Sequence, residues 1–183
     1  MTVTTAKWTI AEYHRLVETG LLDDKRVELL QGIIVDMLPE GMPHAVYCSE
    51  SATYLRNLLG NRAIVREAHP ITLPNDSEPE PDIAIVNAPN RQYLDHHPYP
   101  ADIYWLIEYA SSTLKKDLND KKRVYAEVGI QEYWVVNLHA SELIVFRDLA
   151  QNVYQSETIL AAENISPLSF PDLQIDVSKL FTI

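Results

Sequence analysis

Two acids stand where a folded chain ordinarily places apolar side chains. Asp82 opens the run Pro81-Asp82-Ile83-Ala84-Ile85-Val86, and Glu108 closes the run Tyr104-Trp105-Leu106-Ile107-Glu108. An isolated ionised carboxylate in a low-dielectric interior is costly or shifts its pKa, so two acids in core strands point to a metal ion, a paired base or catalysis. A cation follows them. Leu118, Lys121, Tyr125 and Val128 recur at helical spacing and place Lys121 in an otherwise apolar stripe, where its ammonium needs an anionic partner. Asp117, four residues earlier, offers an intrahelical pair worth a few tenths of a kcal/mol; the sharper alternative aims Lys121 at Glu108.

Each residue also has a structural reading. Asp82 follows Pro81 and could bond backbone N–H groups at a strand start, and spacing alone does not decide between the two roles. Glu108 is harder to place as a solvated residue, because it ends an apolar and aromatic run. Glu28, inside a candidate hairpin, and His44, on the inward face of a candidate helix, could both be core polar groups satisfied locally. His96-His97 reads as a solvated surface pair.

The elements that must position these groups can be read from periodicity and turn chemistry. Thr9 with Glu12 forms a capping box for a helix over about residues 10–19, ended by Gly20. The runs Val27-Glu28-Leu29-Leu30 and Ile33-Ile34-Val35-Asp36-Met37-Leu38 flank Gln31-Gly32, a hairpin turn. A helix is predicted over about residues 43–59, with His44 one turn before Cys48 on the apolar face. Strands are predicted at about 63–73, 82–86, 104–109, 133–137 and 143–147, with a weaker one at about 153–159. A helix at about 115–128 separates two strong strands, so a mixed α/β sheet with at least one crossover is expected. Alternation along a strand puts Glu108 on the face of Tyr104, Leu106 and Ala110 and turns Trp105, Ile107 and Tyr109 the other way. The segment after residue 86, with Pro89, Pro98 and Pro100, reads as a long loop able to approach a substrate, and the tail is expected to pack back through Leu180 and Phe181.

Length and charge bound the function. At 183 residues the chain is expected to form one domain over residues 1–183. The start of the chain lacks the pattern of a secretory leader and no window has the apolar length of a membrane span, which makes the cytoplasm the expected location. The one cysteine, Cys48, excludes an intrachain disulfide and a thiolate zinc cluster. A net charge of −11 argues against a broad basic face for non-specific nucleic-acid binding, but less against a metal-dependent nuclease, whose divalent ions neutralise an acidic site.

Together, Arg26-Val27-Glu28-Leu29-Leu30-Gln31-Gly32, Gly41 to His44, Pro79-Glu80-Pro81-Asp82-Ile83-Ala84, Glu108 to Thr113, Asp117 to Lys121, and Tyr125-Ala126-Glu127-Val128-Gly129-Ile130-Gln131-Glu132-Tyr133-Trp134 resemble the PD-(D/E)XK nuclease superfamily, specifically the Uma-two family of restriction-type endonucleases. The resemblance spans nearly the whole chain. It implies a restriction-endonuclease-like mixed β-sheet flanked by helices, an α/β (α+β) fold with an N-terminal helix and β-hairpin. Asp82 matches the aspartate of the PD element and Glu108 the acid of the second half-motif. The superfamily lysine, normally two residues after that acid, is Ala110 here, and Lys121 matches the substitute from the following helix. Glu28 matches an upstream glutamate and His44 the histidine after the hairpin.

What the resemblance implies is an endonuclease that hydrolyses DNA phosphodiester bonds through catalytic Asp82, Glu108, Lys121, Glu28 and His44. Mg²⁺ or Mn²⁺ is expected on Asp82, Glu108 and Glu28, with the Tyr109 carbonyl as a further ligand. Lys121 is expected to orient water or stabilise charge on the phosphate, and His44 to contact phosphate or carry a proton. Cutting both strands of a duplex needs two sites, so a homodimer is expected. A catalytically silent interaction or dimerisation module stays open beside this reading, as does a nuclease acting on RNA or on branched or single-stranded DNA.

Overall fold

The computed structural model describes residues 5–111 and 113–182. Residues 1–4, Ser112 inside the 108–113 motif and Ile183 lie outside that description. Helix α1 (Ile10–Glu18) begins as its capping box directs: the Glu12 N–H donates to Thr9 Oγ1, and the Thr9 N–H donates to Glu12 Oε2. Strands β1 (Val27–Leu30) and β2 (Ile33–Asp36) form the expected hairpin, with Gln31 and Gly32 at φ of 49° and 77° as a primed turn requires. The Trp8 N–H donates to Gly32 O at 2.8 Å, so the chain before α1 crosses directly over the turn. Helix α2 (Met42–Leu59) follows, with Pro43 in its first turn.

A six-stranded sheet holds β3 (Ile64–Glu67), β4 (Ile83–Val86), β5 (Ile103–Ala110), β6 (Tyr133–Asn137), β7 (Glu142–Ala150) and β8 (Val153–Leu160) in that order. Neighbours are antiparallel except β5 and β6, which are parallel. Their connection is a crossover made of α3 (Leu114–Lys116), a π-helical turn (Asp117–Lys121) and α4 (Lys122–Glu127). Short strands β9 (Asn164–Ile165) and β10 (Ile175–Asp176) organise the tail.

Both faces of the central strands are covered, which is why β4 and β6 read as unbroken apolar runs rather than alternating ones. Trp105, Ile107 and Tyr109 pack on α2 and on the tail, including Leu180 and Phe181, while Leu106 and Ala110 pack on Val124 and Tyr125 of the crossover. Glu108 therefore points toward the crossover helix, as strand alternation predicts.

Two expectations are corrected. The predicted strand at 63–73 stops at Glu67, because Ala68 turns left-handed at φ 46° and sends Ile71 and Leu73 into the core on the crossover side. The long loop after β4 folds into two short 3₁₀ turns, Asn90–Leu94 and Pro100–Asp102, pinned by the Arg66 guanidinium over Tyr93 and by His96 stacked on Tyr99. None of its residues lines the acidic pocket described below. Among the described residues no helix is long and apolar enough to cross a membrane.

A Cβ on Gly32 would lie 2.8 Å from Lys7 Cβ and 2.9 Å from Trp8 O, on a backbone already left-handed. Gly32→Ala is expected to destabilise the protein by about 1–3 kcal/mol, measured as a lower urea midpoint; an unchanged midpoint would contradict this account of the turn.

Candidate active site

The antiparallel register pairs Ile83 with Ile107, and one step further places Asp82 opposite Glu108 on the same face, where β4 has ended and β5 continues beside β6. The Asp82 backbone is held by the Ala68 N–H, which donates to its carbonyl at 3.1 Å. Asp82 Oδ2 accepts from the Tyr109 N–H at 2.6 Å and meets His44 Nε2 at 3.1 Å. Asp82 is thus an acceptor at the start of β4 whose carboxylate also lines a pocket.

Glu108 is 2% exposed and Lys121 5%. Lys121 Nζ donates to Glu108 Oε1 at 2.8 Å, and the Tyr125 hydroxyl donates to the same oxygen at 2.8 Å. No Asp117–Lys121 ion pair forms; the partner of Lys121 across the fold is Glu108, with Glu28 Oε2 at 3.7 Å as a second anion. The crossover departs from a uniform helix at this point. The Lys122 N–H reaches back to Asp117 O across a π turn, and Asp117, Lys121, Val124 and Tyr125 all end buried. Single π turns recur at functional sites, where the inserted residue re-aims a side chain.

Glu28 comes from the hairpin, which docks on the segment before β4: the Glu78 N–H donates to Leu29 O at 2.7 Å and the Gly32 N–H to Asp76 O at 2.7 Å. Glu28 is 1% exposed, and both of its oxygens are engaged. Oε1 accepts from Lys116 Nζ at 2.6 Å, while Oε2 accepts from the Glu80 N–H at 3.2 Å. His44, Glu28, Asp82, Glu108 and Lys121 all line one pocket, so the residues singled out from sequence converge. Asp117, Lys116 and Glu80 line it too and were not singled out as site residues. Asp117 had a signal in its helical phase with Lys121, whereas Lys116 and Glu80 look like ordinary surface charges in sequence.

The pocket carries more acid than base. Glu28, Glu40, Glu80, Asp82, Glu108 and Asp117 face Arg26, Lys116, Lys121 and His44, and Arg26 is already paired with Glu40 at 3.1 Å. Burial and the neighbouring charges together set the proton affinities. Burial pushes the Glu108 carboxyl up, against the pull of Lys121. Burial likewise raises Asp117, and burial with the Glu28 charge raises Glu80. Glu28 goes the other way: burial opposes its ionisation, but Lys121 and Lys116 hold it below the usual carboxylate range. Burial disfavours the Lys121 ammonium, yet Glu108 and Glu28 raise its pKa. For His44, the Asp82 hydrogen bond and charge outweigh burial and favour the imidazolium.

Among the described residues, no three His, Cys, Asp or Glu side chains meet in a metal-holding cluster, so the triple set of Asp82, Glu108 and Glu28 is not assembled as such. A smaller set fits. Asp82 Oδ1 and Glu108 Oε2 have no hydrogen-bond partner among the described residues, and both side chains line the pocket. Hard divalent cations take oxygen donors of this kind, and Mg²⁺ is commonly held by one or two carboxylates, with water and phosphate completing its shell.

Residues 10–178 match the Uma2 family, described as "Putative restriction endonuclease". The chain belongs to the Uma2 family. The fold of this Uma2 chain is similar to that of a crystal structure described as a putative nuclease belonging to DUF820 from Anabaena variabilis. The TM-score is 0.72 at 19% identity, over 94% of this chain and 97% of that one. Among curated proteins none matches.

Two outcomes test these electrostatics in metal-free buffer. Lys121→Met leaves Glu108 and Glu28 without their shared cation and is expected to cost about 3–5 kcal/mol in urea denaturation, part of it recovered in Lys121→Met/Glu108→Leu; strictly additive losses would mean that the pair is not coupled. Glu108 and His44 both bind their protons more tightly folded than unfolded, so their contributions are full below about pH 4.5 and about pH 6.5 respectively and are lost as pH rises above those values. Stability should therefore fall as pH rises from about 5, and Glu108→Gln should flatten that slope; a rise above about pH 5 would refute the assignment.

Proposed function

We propose that this protein is a divalent-metal-dependent endonuclease that hydrolyses DNA phosphodiester bonds. The observation that carries the reading is the buried Glu108–Lys121 pair facing the same pocket as Asp82, with the lysine supplied by the crossover helix instead of by Ala110. Asp82 and Glu108 are the residues to hold Mg²⁺ or Mn²⁺, through the oxygens left free by their hydrogen bonds. When bound, the ion supplies Lewis acidity and lowers the pKa of a coordinated water. The excess acid charge of the pocket suits a dication and makes the metal-free site a poor host for phosphate.

The chain's own groups divide the remaining work. Lys121, fixed by Glu108 and Glu28, presents a positive charge where negative charge develops on the phosphate. The same contacts keep its proton in place, so it acts as an electrostatic group and not as a base. His44, whose imidazolium is favoured by Asp82, holds a proton at Nε2 beside that carboxylate and serves as a proton carrier or phosphate contact. Glu28, saturated by Lys116 and the Glu80 N–H, anchors the lysines and is a weaker candidate for the metal shell. A homodimer supplies the second site that duplex cleavage needs.

The test is cleavage of supercoiled DNA by the purified protein with Mg²⁺ or Mn²⁺. Activity is expected to drop by at least about 10²-fold in Asp82→Ala/Glu108→Ala and in Lys121→Ala. Wild-type activity in the double variant would sink the proposal, and calorimetric titration showing no Mn²⁺ binding would favour a catalytically silent module.

A further inference from the structure

Lys116 occupies the junction between the acidic pocket and a cleft that runs along the hairpin. Leu38, Thr113 and Lys116 line both spaces. Beyond them the cleft passes between β2 and the crossover, with Ile33 and Val35 on one side and Arg123 on the other. The Lys116 side chain is 30% exposed although its ammonium donates to the 1% exposed Glu28 carboxylate at 2.6 Å. It is therefore a charge that reaches solvent from one end of a buried ion pair. Lys121, by contrast, is enclosed between Glu108 and Glu28 and has no such freedom.

Resting on the nuclease reading above, we propose that Lys116 is a substrate-positioning residue: it binds the phosphate next to the scissile one and directs the flanking strand into the hairpin cleft. The exchange is feasible because Glu28 does not become an unpaired buried charge when Lys116 turns away. Lys121 stays 3.7 Å from its Oε2, and the Glu80 N–H still donates to that oxygen. Leu38, 57% exposed, gives the sugar or base an apolar wall at the cleft mouth. Further along the same cleft Asp36 and Asp120 outnumber Arg123, so the phosphate contact falls at the Lys116 end.

A phosphate contact has a signature that a structural lysine lacks. Each neutralised phosphate contributes about 0.9 to the slope of log affinity against log salt on duplex DNA. Binding of the full chain to a labelled DNA duplex is followed by fluorescence anisotropy across salt concentrations, with Ca²⁺ at a fixed level, for wild type, Lys116→Gln, Lys116→Arg and, as a distant control, the exposed Lys179→Ala. Lys116→Gln removes the charge and leaves a shorter, neutral hydrogen-bond donor; thermal denaturation checks its fold. The expected result is a roughly three- to tenfold loss of affinity and a slope shallower by about 0.9 in Lys116→Gln, with the slope restored in Lys116→Arg and unchanged in Lys179→Ala. A wild-type slope in Lys116→Gln, with wild-type protein still cleaving supercoiled DNA, overturns the role of Lys116 and leaves the nuclease reading standing. A wild-type protein that neither binds nor cleaves DNA overturns both.

Discussion

The structure is organised around a buried ion pair. Lys121 and Glu108 meet at 2.8 Å with almost no exposure, and neither charge could be left alone in that interior without a cost of several kcal/mol. That requirement ties three parts of the chain together: the end of β5, which carries Glu108, the crossover, which carries Lys121 and Tyr125, and the hairpin, which brings Glu28 behind the lysine. Well-packed apolar residues of similar volume often serve stability as well as a buried ion pair does, and the proposed function gives this pair a role beyond stability.

The position of the lysine follows from the sheet. Ala110 shares the face of Glu108 but packs into the core against the crossover, where a lysine would need its own partner. The crossover runs over that same face, because β5 and β6 are parallel and must be joined by a connection that returns across the sheet. An ammonium supplied from above reaches Glu108 from the helix side, and the π turn between Asp117 and Lys121 sets the phase at which it arrives. The two acids are brought together by antiparallel β-pairing: Asp82 precedes Ile83 and Glu108 follows its partner Ile107, so the register sets them opposite each other.

Charge explains how an acidic protein can host this chemistry. The net charge of −11 is expressed locally as a pocket with more carboxylates than cations, and burial, reinforced by the neighbouring carboxylates, raises the proton affinities of Glu108, Asp117 and Glu80. Such a pocket repels phosphate until positive charge is added, which couples substrate binding to a divalent ion in the proposed function. Lys121 and Lys116 differ in setting: one is locked between carboxylates, the other is partly exposed at the pocket mouth.

Much of this was legible in the sequence, because local rules and tertiary outcome agree. The capping box at Thr9 and Glu12, the Gln31-Gly32 turn, the helix carrying His44 and the alternation that turns Glu108 away from Trp105 each depend on residues within a few positions of one another. The length of β3 and the course of the long loop were not legible, since Ala68 leaves the sheet only to let Ile71 and Leu73 reach a core on the far side. The choice between Asp117 and Glu108 as partner of Lys121 was likewise undecidable from spacing, because both distances are permitted and only packing across the sheet selects one. The sequence by itself determined the types of charge and the face of the element on which each sits. Tertiary structure alone decided which charges meet, that Glu28 is bound by Lys116 and that Asp117 and Glu80 join the pocket, because those contacts join residues far apart in the chain and the cost of an unpaired buried charge is felt only once the core has closed.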